Sequence, residues 1–176
     1  MDDLELARLI REHAYLEGDF VLRSGRRSRY YLDKYRFETR PDLLRALGER
    51  IAAKAREEEP DAALLAGPEL GAVALAASAS LESGLPFLIV RKQAKGYGTG
   101  HLLEGVFRPG EIVCLVEDVV TSGGAAADAV EALRHAGLEC RTAVCVVDRE
   151  EGGSEALAAL GVRLVPLFRA RQLLEA

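Results

Sequence analysis

The residues best suited to chemistry lie between Ile112 and Ala126, where the chain reads Ile-Val-Cys-Leu-Val-Glu-Asp-Val-Val-Thr-Ser-Gly-Gly-Ala-Ala. A buried apolar strand ends there in two acids, then passes through a turn rich in hydroxyls and glycine into the start of a helix. Thr121, Ser122, Gly123, Gly124 and Ala125 would bring backbone amides, two hydroxyls and a helix N-terminus to one small volume, which suits a phosphate group. Glu117 and Asp118 repel phosphate and suit instead the hydroxyls of a sugar or a magnesium ion. The stretch therefore describes a site for a phosphorylated sugar. A plainer reading of the same residues is a strand exit whose acids solvate the sheet edge and cap a helix.

In an open parallel sheet, ligands bind at the carboxyl ends of the strands, and the rest of the sequence predicts such a sheet. From Ala62 onward the chain repeats a short β-rich apolar run followed by an Ala/Leu-rich stretch of helical period. The predicted strands are Ala62–Ala66, Pro86–Val90, Ile112–Val116, Thr142–Val147 and Val162–Leu167; the helices between them are Leu70–Leu81, Gly123–His135 and Gly153–Leu160. This is a doubly wound, mostly parallel α/β fold. Residues 1–40 read differently, as a helix over Leu4–Tyr15, an apolar run Phe20–Leu22, a basic turn, and a second run Arg29–Leu32 before a helix opened by Pro41. One domain spanning residues 1–176 is expected, with 1–40 as a small N-terminal cap on an α/β core of 41–176.

Composition narrows the function. With 176 residues, 49% hydrophobic and 29% charged, the chain has enough apolar surface for one well-ordered core. The apolar runs are too short to span a bilayer and the acidic start does not resemble a secretion signal, so a soluble cytoplasmic protein without a membrane partner is expected. A net charge of −5 argues against nucleic acid as a partner. The three cysteines, Cys114, Cys140 and Cys145, lack zinc-site spacing and read as buried thiols.

The 112–126 stretch resembles the phosphoribosyl-diphosphate motif of the type I phosphoribosyltransferases, and further segments resemble the orotate phosphoribosyltransferases among them. Phe20–Tyr31, with Ser-Gly and then Tyr30-Tyr31, is similar to their amino-terminal orotate-side segment. Val90–Thr99, followed by Glu104-Gly105, is similar to their mobile catalytic loop, and Val147–Glu150 to a later orotate-contacting segment. Two positions depart from the common family residues: Arg23 stands where many members have lysine, and Tyr97 where many have histidine.

The resemblance implies transfer of ribose 5-phosphate from 5-phosphoribosyl 1-diphosphate to orotate, giving orotidine 5′-monophosphate and diphosphate, with magnesium as cofactor held mainly through substrate and water. It implies that Arg91, Lys92, Lys95, Glu117, Asp118, Val119, Val120 and Thr121 to Ala125 bind the donor, with Lys95, Glu117 and Asp118 catalytic. Arg23, Tyr30, Tyr31, Thr121 and Arg149 would bind orotate; one of the two tyrosines would wall the pocket and the other pack the cap. Gly67–Gly71 would take the place of a diphosphate-contacting loop. A homodimer with shared active sites is implied as well, Lys95 acting across the interface. The residues themselves agree in part: Arg91, Lys92 and Lys95 concentrate positive charge on a strand exit rich in glycine, apt for an anionic leaving group. Each of these cations could equally be a solvated loop residue, and Arg149 could pair with Asp148 or Glu150. The alternatives are a purine-type phosphoribosyltransferase with another base pocket, or a non-catalytic nucleotide-sensing regulator of the same fold.

Overall fold

The computed structural model describes residues 1–21, 25, 27–93 and 102–175. Helix α1 (Asp3–Ala14) opens at Asp2, whose carboxylate accepts the Glu5 N–H at 2.8 Å, and buries the stripe Leu6, Ala7, Ile10 and Ala14. Strands β1 (Tyr15–Val21) and β2 (Arg27–Leu32) pair antiparallel. A single-turn helix, α2 (Tyr35–Glu38), then leads into α3 (Pro41–Glu58), where proline sits in the first turn and needs no hydrogen-bond partner.

The remaining elements alternate: β3 (Leu64–Pro68), α4 (Gly71–Ser83), β4 (Phe87–Val90), β5 (Leu103–Glu104), β6 (Ile112–Val120), α5 (Gly124–His135), β7 (Glu139–Asp148), α6 (Gly153–Ala159), β8 (Arg163–Arg169) and α7 (Ala170–Glu175). The main sheet has the order β5-β4-β3-β6-β7-β8, parallel throughout except for β5, which runs antiparallel along β4. This is the doubly wound α/β arrangement that the sequence predicts. Helices cover both faces. One apolar cluster joins α1, α3 and α4 to the sheet through Cys114 and Val116, and the other joins α5 and α6 to it through Val113 and Leu115. The alternation of β6 side chains between the two faces produces that division. All three cysteines are free and buried, as the sequence predicts. No helix among the described residues is long and apolar enough to cross a membrane.

Three differences from the sequence reading bear on the site. Strand β6 continues to Val120 instead of stopping at Val116, because Val119 and Val120 go on pairing with Val147 and Asp148 of β7. β1 begins at Tyr15, so the first hairpin is longer than Phe20–Leu22 suggested. The third is α2 itself, too short for any periodicity to show. It is anchored by Phe37, which is fully buried in the cluster shared with α1, α3 and α4. Phe37→Ala should therefore destabilise the protein by about 3 to 5 kcal/mol. The check is a denaturant melt, where the midpoint should fall at constant slope; a loss below about 1 kcal/mol would show that α2 is held by something other than this ring.

Candidate active site

Strand β3 leads outward to β4, whereas β6 leads the opposite way to β7 and β8, so the winding reverses between the neighbours β3 and β6. The helices that follow these two strands diverge to opposite faces, and a crevice opens at the carboxyl ends. A cleft of about 520 Å³ lies there. Pro68, Glu69 and Leu70 line it from the end of β3, residues 117–126 from β6 through the first turn of α5, and Lys34, Tyr35, Lys92 and Asp128 close it. The peptide between Glu69 and Leu70 is cis.

Thr121 and Ser122 are exposed at the end of β6. Gly123 follows in the left-handed conformation, φ 82°, and a Cβ there would come within 3.0 Å of Gly153 Cα. Only glycine meets both demands. The first helical hydrogen bond of α5 is donated by Ala127, to Gly123, so the amides of Gly124, Ala125 and Ala126 have no partner within the helix. With no acid in the first turn and no side-chain cap, this N-terminus is an open anion cradle.

Beside it are the acids, Glu117 at 6% and Asp118 at 4% exposure. They belong to the strand rather than to a solvated exit, which removes the plainer reading. Asp118 accepts the Val119 N–H through Oδ1 and the Lys34 ammonium through Oδ2, each at 2.5 Å. Its carboxylate also crowds the first residue of α4: a Cβ on Gly71 would strike Asp118 Oδ2 and lie 3.1 Å from Glu38 Oε1. Burial, helped by the Asp118 charge, pushes the Glu117 carboxyl up to about 8. The same two causes, burial first, push Glu38 up to about 7. For Lys34, burial acts downward but is outweighed by the charge and hydrogen bond of Asp118 together with the Glu38 and Tyr35 charges, and its value is raised.

The other predicted residues are spread more widely. Lys92 lines the cleft, and its N–H donates to Glu69 Oε1 at 2.6 Å. Arg91 sits apart from the cleft lining, its Nη1 4.0 Å from Glu104. Neither Asp148 nor Glu150 is the ion-pair partner of Arg149: the guanidinium reaches Glu151 at 3.0 Å and covers the Tyr30 ring, 4.9 Å from its centre. Tyr30 in turn stacks on Tyr15, while Tyr31, on the other side of β2, leans against Phe20. Period-two alternation separates the two tyrosines, and neither lines the described cleft. Arg23 and Lys95 lie outside the described residues. Sequence reasoning missed Lys34, Tyr35 and Glu38. The available signal was Asp33-Lys34 and Glu38, charges interleaved with Tyr35 and Phe37 in the short link between a strand and a proline-led helix.

Residues 38–159 match the family model described as a phosphoribosyl transferase domain. An orotate phosphoribosyltransferase of Methanocella arvoryzae is 49% identical over 173 residues, covering 98% of this chain and 97% of its own. Among solved structures, the orotate phosphoribosyltransferase of Mycobacterium tuberculosis in complex with Fe(III) dicitrate superposes with a TM-score of 0.87 at 32% identity, over 98% of this chain and 99% of that one. The same enzyme in complex with 5-phospho-α-D-ribosyl 1-diphosphate gives a TM-score of 0.81 at 30% identity, again over 98% and 99%. With the cradle and the acids at the switch point of a doubly wound sheet, and relatives matched over nearly their whole length, the chain belongs to the orotate phosphoribosyltransferase family.

Proposed function

We infer that this protein transfers the ribose 5-phosphate group of 5-phosphoribosyl 1-diphosphate to orotate, releasing diphosphate and forming orotidine 5′-monophosphate for pyrimidine nucleotide synthesis. The observation that carries this reading is the meeting of an open helix N-terminus with buried carboxyls in one cleft of a chain from this family.

The amides of residues 124–126 and the hydroxyls of Thr121 and Ser122 would hold the 5-phosphate, with Val119 and Val120 supplying backbone beside it. The bond from the anomeric carbon to the diphosphate breaks with its electron pair leaving on oxygen, while a ring nitrogen of orotate forms the new bond with the electron pair it keeps as its proton passes to water. Positive charge grows on the ribose in between. Glu117 and Asp118 would bind the ribose hydroxyls and face that charge. Lys92 in the cleft, with Arg91 and Lys95 on the same segment, would meet the leaving diphosphate. Arg149, Tyr30, Arg23 and Thr121 would form the orotate side, the guanidinium facing the carboxylate of the base, while Tyr31 on the other face of β2 would pack the cap.

Magnesium would arrive with the donor, held by donor oxygens and water. Among the described residues no three metal-ligating side chains converge into a cage, and the unpartnered Oε1 of Glu117 fits a water-mediated contact. Held in that way, magnesium would supply positive charge against the leaving diphosphate.

The direct test follows orotate by absorbance with the donor and magnesium present. Loss of orotate that requires all three components supports the reading. Consumption of a purine instead would favour the purine enzyme, and donor binding without turnover the regulator.

Asp118→Asn should fold and bind donor yet lose about a hundredfold or more in turnover; near-normal turnover would remove Asp118 from this role. Arg149→Ala should raise the KM for orotate far more than that for the donor. An unchanged orotate KM would leave Arg149 as a structural partner of Glu151 and Tyr30.

We propose further that two copies share their active sites, Lys95 of one serving the other. Leu81 and Val106, 86% and 87% exposed, are apolar surface that a partner could cover. Mixing inactive Lys95→Ala and Thr121→Asp chains should restore up to about half the activity of each heterodimer, because one site then carries both lesions and one carries none. No recovery despite subunit exchange would place loop and cradle on the same chain.

A further inference from the structure

Glu38 is a buried acid that neither the fold nor the reaction as described above uses. It is 3% exposed, and its Oε1 has no hydrogen-bond partner among the described residues. It is mounted on α2, which Phe37 pins into the core, and it shares that turn with Lys34. Both side chains converge on one group. Lys34 reaches Asp118 Oδ2 at 2.5 Å, and the close approach of Asp118 Oδ2 and Glu38 Oε1 to the same point above Gly71 places the two carboxyls side by side.

An ionised carboxylate offers about four lone-pair sites. On Asp118 one is taken by the Val119 amide and one by Lys34. Two carboxylates this close repel unless a proton lies between them, and with that proton Glu38 becomes a donor that takes a third site. About one site is left, turned to the cleft, where a hydroxyl can donate to it. We propose that Glu38 and Lys34 are positioning residues that clamp Asp118 from two sides and leave a single acceptor edge for a ribose hydroxyl of the donor. The raised titration of Glu38, to about 7, agrees with such a shared proton. Its environment is otherwise of mixed sign, with Lys34 lowering the value and Asp33 raising it.

This inference rests on the phosphoribosyl-transfer reading, and stability separates it from a packing role. A buried carboxyl is costly to desolvate even when it shares a proton with a neighbour, so an apolar side chain of similar size at position 38 should be tolerated or preferred by the fold. Glu38→Leu should therefore melt no lower than the wild type while turnover falls at least about tenfold, with the donor KM moving less than about threefold. Glu38→Gln, whose amide can still donate to Asp118, should keep turnover within about threefold of the wild type. Lys34→Met should lose turnover as Glu38→Leu does. Undiminished turnover in Glu38→Leu, or equal losses in Glu38→Leu and Glu38→Gln, would overturn the clamp. A lower melting temperature in Glu38→Leu would overturn it too, since Glu38 would then be structural. Wild-type orotate consumption, measured alongside, separates the failures: an active wild type with an indifferent Glu38 sinks only the clamp, whereas an inactive wild type sinks the reaction and the clamp with it.

Discussion

Three carboxyl groups are buried within one turn of each other's elements, and one lysine stands among them. Ionised acids removed from water are costly unless paired, so Glu38, Glu117 and Asp118 cannot all carry charge with Lys34 as the only close cation described. The arrangement is stable because Asp118 pairs with the Lys34 ammonium while Glu38 and Glu117 are pushed toward their neutral forms. Much of the local structure serves that outcome. Strand β6 runs on to Val120 and so carries both acids inside the sheet; Gly71 omits the side chain that would collide with Asp118; Phe37 fixes the turn that brings Lys34 and Glu38 in.

The same distribution of charge explains how a chain with net charge −5 can accept an anionic donor. A fully ionised acid pair beside the phosphate cradle would repel the ligand that the cradle attracts. A neutral Glu117 removes half of that repulsion, and the α5 N-terminus supplies partial positive charge without a cationic side chain. Asp118 beside Glu117 is paired with the Lys34 ammonium.

The hydroxyl- and glycine-rich turn that opens α5 was legible in the sequence, because glycine at position 123 and hydroxyls at 121 and 122 follow from local backbone chemistry. So were the alternating strands and helices, whose apolar periods are strong. Strand β5, two residues long, and α2, four, carry no period and were invisible. The burial of Glu117 and Asp118 was also hidden: two acids at the end of an apolar run look like the place where a strand meets water, and only the pairing of Val119 and Val120 with β7 shows otherwise. Lys34 and Glu38 meet Asp118 across eighty or more positions of sequence, a contact that no local pattern encodes. Arg149 was placed correctly at a strand end, but its stacking on Tyr30 depends on how the first hairpin lies against β7.

A buried acid with a raised value also marks the folded state. Below about 4.5 neither folded nor unfolded Glu117 is charged; as pH rises toward about 8 the unfolded chain releases a proton that the folded one retains, and stability falls across that window. The central claim, that burial in the ligand-free site lets Glu117 and Glu38 hold their protons well above the ordinary carboxylate range, is tested most directly by carboxyl ¹³C NMR titration of the wild type, with Glu117→Gln and Glu38→Gln used to assign the signals. Transitions near 8 for Glu117 and near 7 for Glu38 are the predicted result. Titration of both groups in the ordinary carboxylate range would contradict it.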